Sequence, residues 1–202
     1  MIFGLCGTHG TGKSTILSGV EAAGWRVDRT QLSRHAQAAL GWDRLSRAQE
    51  SADNMWQLQE AILAAMYDRD HAIMRAEQAT VVERTPVDVL AYTHMWCERL
   101  QIDPKNSRLL EYKGRVRELA KNYSQHMLVQ PCAAVPFEEH TARADLKSRA
   151  SVAANIAAFL WDSGLPHYIF KTTQPQTRVA EACAVLAMHG IARARPGDNH
   201  EQ

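Results

Sequence analysis

Nine residues near the start of the chain, Gly7-Thr8-His9-Gly10-Thr11-Gly12-Lys13-Ser14-Thr15, have the types and spacing that can hold a polyphosphate. They fit the pattern G-x-x-x-x-G-K-[ST]. Backbone N–H groups cradle phosphate oxygens, and glycine lets that backbone approach without a Cβ in the way. A helix opening near Lys13 adds unpaired N–H groups and the positive end of its dipole. Lys13 would hold the outer phosphates, and the Ser14 hydroxyl would face Mg²⁺. His9 could touch a phosphate or simply fill the loop. A chance match in a glycine-rich turn is the plain alternative. The apolar run Met1 to Cys6 before the loop, and Ile16, Leu17 and Val20 at helical spacing after it, give the strand–loop–helix context the pattern requires.

Three more polar groups fall at predicted strand ends, where an open parallel sheet binds its ligands. Glu83 closes the run Thr80-Val81-Val82 and could take a proton from an attacking hydroxyl or hold a metal-bound water. Its structural alternative is pairing with Arg84 or capping the next helix. Arg84 could contact substrate or phosphate, or make a surface ion pair. Asp28-Arg29-Thr30 repeats the order acid, arginine, threonine, so Asp28 could bind substrate, although helix capping by Asp28 or Thr30 suits its short polar strand better. The third group is Glu138-Glu139-His140-Thr141-Ala142-Arg143. Arg143, with Lys147 and Arg149, could form a lid over the transferring phosphoryl group, whose equatorial oxygens gather charge. A solvated basic helix face would look the same in sequence. Trp56, Tyr92 and Trp96 could stack on a base, but such aromatics more often pack a core.

The elements that must position these groups alternate. Strands are predicted at Ile2 to Cys6, Trp25 to Asp28, Thr80 to Glu83, His126 to Gln130 and His167 to Lys171. Helices are predicted from Lys13 to Ala23, Gln31 to Leu40, Ser46 to about Gln78, Pro86 until Pro104 breaks it, Lys105 to Asn122, Arg143 to Asp162 and Gln176 to His189. Such alternation implies an α/β fold with about five parallel strands, flanked by helices and closed by a helical lid. Residues 1–192 form the expected domain and 193–202 a polar flexible tail.

Composition narrows the class. The 202 residues are 46% hydrophobic and 22% charged, as in ordinary globular proteins. A net charge of +1 gives no global field for nucleic acid, although six basic residues between Lys105 and Lys121 against Glu111 and Glu118 make a local +4. The cysteines Cys6, Cys97, Cys132 and Cys183 show no metal-type or disulfide spacing. No apolar stretch nears the roughly 20 residues of a membrane span. No basic leader precedes the first strand, so a cytoplasmic location and no membrane partner are expected.

Gly7 to Thr15, the motif Glu83-Arg84-Thr85-Pro86-x-Asp88 followed by Ala91-Tyr92, and the Arg143 to Arg149 segment before Gly164-Leu165-Pro166-His167-Tyr168 together resemble P-loop kinases of the thymidylate kinase and nicotinamide riboside kinase type. In overall impression the chain is most similar to bacteriophage kinases that phosphorylate 5-hydroxymethyluracil in DNA. The resemblance implies ATP and Mg²⁺, Glu83 as the catalytic acid, Arg84 as a substrate arginine, and Arg143 in the lid. Lys13 and Arg143 would share in catalysis, with Asp28 and Arg149 on the substrate side. The implied acceptor is the hydroxymethyl group of a base in DNA, flipped out or met in single strand, with the basic 105–121 helix on the DNA backbone. A host cytoplasm follows if the chain is phage-encoded, and a homodimer stays open. The alternative is a small-substrate kinase for a deoxynucleoside, a nucleoside monophosphate or nicotinamide riboside. A P-loop ATPase or switch without an acceptor is a third class.

Overall fold

The computed structural model describes residues 1–131 and 146–190, without the side chains of 146 and 147. Glu138 to Arg143, including the expected lid arginine Arg143, lie outside the described residues, as do Cys132, the side chain of Lys147 and the tail from 193.

Five strands form one parallel sheet in the order β2-β3-β1-β4-β5. They are β1 (Ile2–Cys6), β2 (Arg26–Asp28), β3 (Thr80–Glu83), β4 (Tyr123–Leu128) and β5 (His167–Ile169). Between them run α1 (Lys13–Ala22), α2 (Leu32–Ala39), α3 (Ala52–Arg75), α4 (Pro86–Arg99), α5 (Ser107–Ala120), α6 (Leu146–Asp162) and α7 (Pro175–Met188). β1 is central and wholly buried, its five residues apolar or glycine, as a strand covered on both faces requires. Alternation along it sorts two cores. Phe3 and Leu5 pack with Ile16, Leu17 and Val20 of α1 and Val185 and Leu186 of α7. Ile2 packs with Ile73, Val82 and Tyr123 toward α3, while Cys6 joins the larger cluster of α2 through α6. A buried leucine or phenylalanine here contributes about 1.5–3 kcal/mol. Gly19 lets α1 meet α7, since a Cβ there would stand 2.4 Å from Val179 Cγ2.

Several predicted boundaries move, each for a local reason. The single long helix expected over Ser46 to Gln78 is a 3₁₀ turn (Leu45–Gln49) followed by α3, whose start is fixed by Ser51 Oγ accepting from Asn54 N at 3.1 Å. α4 ends at Arg99, ahead of Pro104, with Gln101 at φ 55 turning the chain. β4 begins three residues earlier than predicted. Tyr123 pairs with Ile2 and is buried, whereas the polar Ser124 and Gln125 hide this stretch from a pattern search. Among the described residues no helix is long and apolar enough to cross a membrane.

Candidate active site

The loop between β1 and α1 has the backbone its glycines predict. Gly7, Gly10 and Gly12 sit at φ 143, 63 and 85. A Cβ on Gly7 would stand 2.4 Å from Val129 O, so the loop can lie against the end of β4 only with glycine there. Gly12 caps α1 in the left-handed conformation without a side-chain cap, leaving the first-turn N–H groups directed toward the loop. Ser14 and Thr15 are exposed on that turn, while Thr8 and Thr11 are buried, Thr11 Oγ1 donating to Thr8 O at 3.0 Å.

Lys13 turns back into the loop. Its Nζ donates to Gly7 O at 2.9 Å and Thr8 O at 2.6 Å. Burial pushes its pKa down to about 7, and the positive charge of Arg84 adds to the effect, against the pull of Asp88 and Glu83.

Glu83 and Arg84 leave β3 beside this loop, Leu5 pairing with Glu83. Among the described residues the half-buried Glu83 carboxylate takes no hydrogen bond and no close ion pair; its charge still acts on Arg84 and Lys13, and the side chain that closes the capping box of α4 is Asp88. Arg84 reaches over the loop instead. Its Nη1 donates to Gly7 O at 3.4 Å and lies 3.7 Å from Asp88 Oδ1, and its Nη2 sits 2.9 Å from His9 Nδ1. The guanidinium also stacks over the Tyr92 ring, 5.4 Å from its centroid, and that ring tilts against His9. Burial raises the Tyr92 pKa, keeping the phenol neutral. His9 is thus part of a defined cluster and not filler, and Tyr92 lies at the loop. Of the other two aromatics, Trp56 is core against Tyr112, and Trp96 carries Arg99 over its ring.

Three residues at this place carry structure that the sequence reading left without a role. Asp88 is buried at the start of α4. Its Oδ1 accepts from Gly7 N at 2.9 Å, and its Oδ2 accepts from Thr85 N and Thr85 Oγ1, both at 2.9 Å. Thr85 returns a capping bond, so one carboxylate joins the phosphate loop to a capping box. Arg69, buried on α3, donates to Glu83 O and Arg84 O. Arg178, buried on α7, donates to Thr11 O at 2.9 Å, Thr172 O at 2.8 Å and Gln130 O at 3.3 Å. The signal for both arginines was a charge on an apolar helical stripe: Arg69 between Met66 and Ile73, and Arg178 one turn before Ala182.

Arg149 of α6 comes to the loop from the other side, its Nη2 donating to Gly10 O at 2.6 Å. Asp28 does not cap α2, whose N-cap is Gln31 without a side-chain bond. Its Oδ1 accepts from Thr30 N at 2.8 Å in a local turn. Arg29 departs from the parallel with Arg84 by turning to Glu21 of α1 at 2.8 Å. Adjacent strands place Asp28 beside the Arg69–Asp70 pair, whereas Glu83 is the strand-end acid that acts on Lys13.

A parallel sheet ordered 2-3-1-4-5, with a glycine loop leading from the central strand into the first helix, is the P-loop fold shared with nucleoside kinases. The model of the AAA domain family matches residues 3–178, and the chain belongs to that family. Its structure is similar to deoxyadenosine kinase from M. mycoides with the products dCMP and dCDP: TM-score 0.68, 12% identity, 93% of this chain and 100% of that one. The same kinase with bound dATP gives a TM-score of 0.69 at 13% identity over the same shares. NadR protein in complex with NR gives 0.67 at 11% identity, over 96% of this chain and 52% of that one. No curated protein matches the sequence.

Proposed function

We propose that this protein is a kinase that moves the γ-phosphoryl group of ATP to a hydroxyl of a small nucleoside-type substrate. The observation that carries the reading is Glu83: a carboxylate without a hydrogen-bond partner among the described residues, at a strand end beside a phosphate loop, next to an arginine already reaching over that loop. Glu83 would accept the acceptor's hydroxyl proton as the alcohol oxygen bonds to the γ-phosphorus and the bond to the β-phosphate oxygen breaks, releasing ADP. Lys13, released from Gly7 O and Thr8 O, would hold the outer phosphates. Arg84 and Arg149 would balance charge on the transferring group, with Arg143 as a further lid arginine. Ser14 presents an exposed hydroxyl at the first turn of α1, which suits a Mg²⁺ ion that takes few protein ligands and shares phosphate oxygens. When bound, that ion would neutralise developing charge on the phosphates. His9 and Tyr92, touching Arg84, and Asp28 on the next strand would line the acceptor side.

The similar solved structures hold deoxynucleotides or NR, which supports a free nucleoside-type acceptor. The DNA acceptor, 5-hydroxymethyluracil, has weaker support, because most of the basic residues of α5 and its C-cap, Lys113 excepted, are engaged. Arg115 pairs with Glu60 at 2.6 Å, Lys121 with Glu118 at 2.6 Å, Arg117 donates to Asp162 O and Ser163 Oγ, and Arg108 lies over Trp56. Labelled ATP decides. Label in free deoxynucleosides, nucleoside monophosphates or nicotinamide riboside supports the proposal. Label confined to DNA containing 5-hydroxymethyluracil replaces the small acceptor with the polymer. Hydrolysis that no acceptor changes makes the protein an ATPase and ends the kinase reading.

A further inference from the structure

The backbone at Arg84 is bent into the left-handed region at φ 68. Two other non-glycine residues among those described share it, Glu77 and Gln101, and both lie just beyond a helix end, where this conformation is common. Arg84 has no such setting. It stands between β3 and α4, its N–H still bonded to Leu5 O at 3.3 Å. Something must hold the turn, and the atoms that do so are on α3. Arg69 Nη1 donates to Glu83 O at 3.0 Å and Nη2 to Arg84 O at 3.2 Å. Those carbonyls belong to the two peptide planes on either side of the Arg84 Cα. One planar guanidinium therefore fixes both dihedral angles of that residue.

The clamp is itself fixed. Arg69 Nε donates to Asp70 Oδ1 at 2.9 Å, Nη2 also donates to Tyr123 OH at 2.8 Å, and Tyr123 OH donates to Asp70 Oδ2 at 2.8 Å. All three side chains are buried. Gly4 makes room for them, since a Cβ there would stand 2.4 Å from Thr85 Cγ2 and 2.8 Å from Tyr123 Cδ1. From this turn Arg84 extends to Gly7 O and His9, and the Glu83 carboxylate takes no hydrogen bond among the described residues.

We infer that Arg69 is a positioning residue for phosphoryl transfer: it holds the Glu83–Arg84 turn and acts through the Arg84 side chain which that turn aims, without touching nucleotide or acceptor. The inference rests on the kinase reading for its effect on rate, but not for its effect on the turn. Arg69→Lys keeps a cation beside Asp70, yet a single ammonium cannot span two carbonyls as a fork does. In the folded variant, amide exchange over residues 83–88 is expected to rise by about tenfold while α7 stays unchanged. The transfer kcat is expected to fall by about 10²-fold, with the KM for ATP within about threefold of wild type. In an Arg84→Ala background the same change should cost less than about threefold, because the side chain it aims is already gone. Unchanged exchange over 83–88, or an equal loss of kcat in both backgrounds, overturns the inference. Should Arg69→Lys not fold, Tyr123→Phe, which removes one anchor of the clamp and keeps the ring, is read in the same way with the same deciding outcomes. A wild type that transfers phosphate to no acceptor strikes the kinase reading, and the exchange measurement then decides the clamp by itself.

Discussion

Lys13 sets what the loop does with pH. In the folded protein burial pushes its pKa down to about 7, from 10.5 for an ordinary lysine, because it disfavours the charge. Between those values the unfolded chain holds the proton that the folded one has lost. Lys13 therefore detracts most from stability below about pH 7, and the penalty fades as pH rises toward about 10.5. Phosphate needs the charged form, so ATP binding at about pH 8 should take up close to one proton, and at about pH 6 almost none. Calorimetry in buffers of different ionisation enthalpy reads that number, and Lys13→Met should remove the uptake along with most of the affinity. Glu83 acts at the same scale. Glu83→Gln keeps the shape and loses the base, so kcat should drop by at least roughly 10²-fold while ATP binding, followed by a fluorescent analogue, holds. Turnover equal to wild type would leave Glu83 without a part in the chemistry.

Among the elements, the start of α4 links two functions through one side chain. Asp88 completes the capping box and also accepts the N–H of Gly7. In Asp88→Asn one oxygen becomes a donor facing another donor, and a buried group loses its partner at about 1–3 kcal/mol. For a chain of this size that is a fall of about 2–12 °C in melting temperature. The change should also weaken ATP binding, since Gly7 loses its anchor. A variant that melts lower but binds ATP as well as wild type would confine Asp88 to the helix. The turn before this helix explains why the carboxylate and guanidinium of neighbouring residues diverge: a left-handed residue, costing about 1–3 kcal/mol, turns Arg84 over the loop.

For the molecule as a whole, Arg178 ties three crossings of the chain into one face. Its guanidinium accepts no charged partner among the described residues and spends its donors on carbonyls of the phosphate loop, the end of β4 and the segment after β5. Arg178→Met would leave the buried Thr11 carbonyl unpaired, at about 1–3 kcal/mol, while the part-buried Gln130 and Thr172 carbonyls can turn to water. Melting should fall by about 2–12 °C, and the KM for ATP should rise more than kcat falls. A loss of stability with unchanged KM would make the tie purely structural.

The phosphate loop, the alternation of strands and helices, and the pair Glu83-Arg84 at a strand end were all legible in the residues, because each rests on near neighbours: glycines that permit a left-handed turn, apolar residues at periods of two or three and four, an acid following β-formers. What the chain could not show by itself was contact across long separations. Arg69 lies 14 residues from Glu83, Asp88 lies 81 from Gly7, and Arg178 lies 167 from Thr11. Each read as one charge on a helix until packing buried it against a particular carbonyl or N–H group, since a buried polar group must find its partner wherever the fold supplies one. The basic run on α5 shows the converse. Its sequence suggested a free surface for a polyanion, and tertiary contacts with Glu60, the end of α6 and Trp56 had already engaged much of that charge.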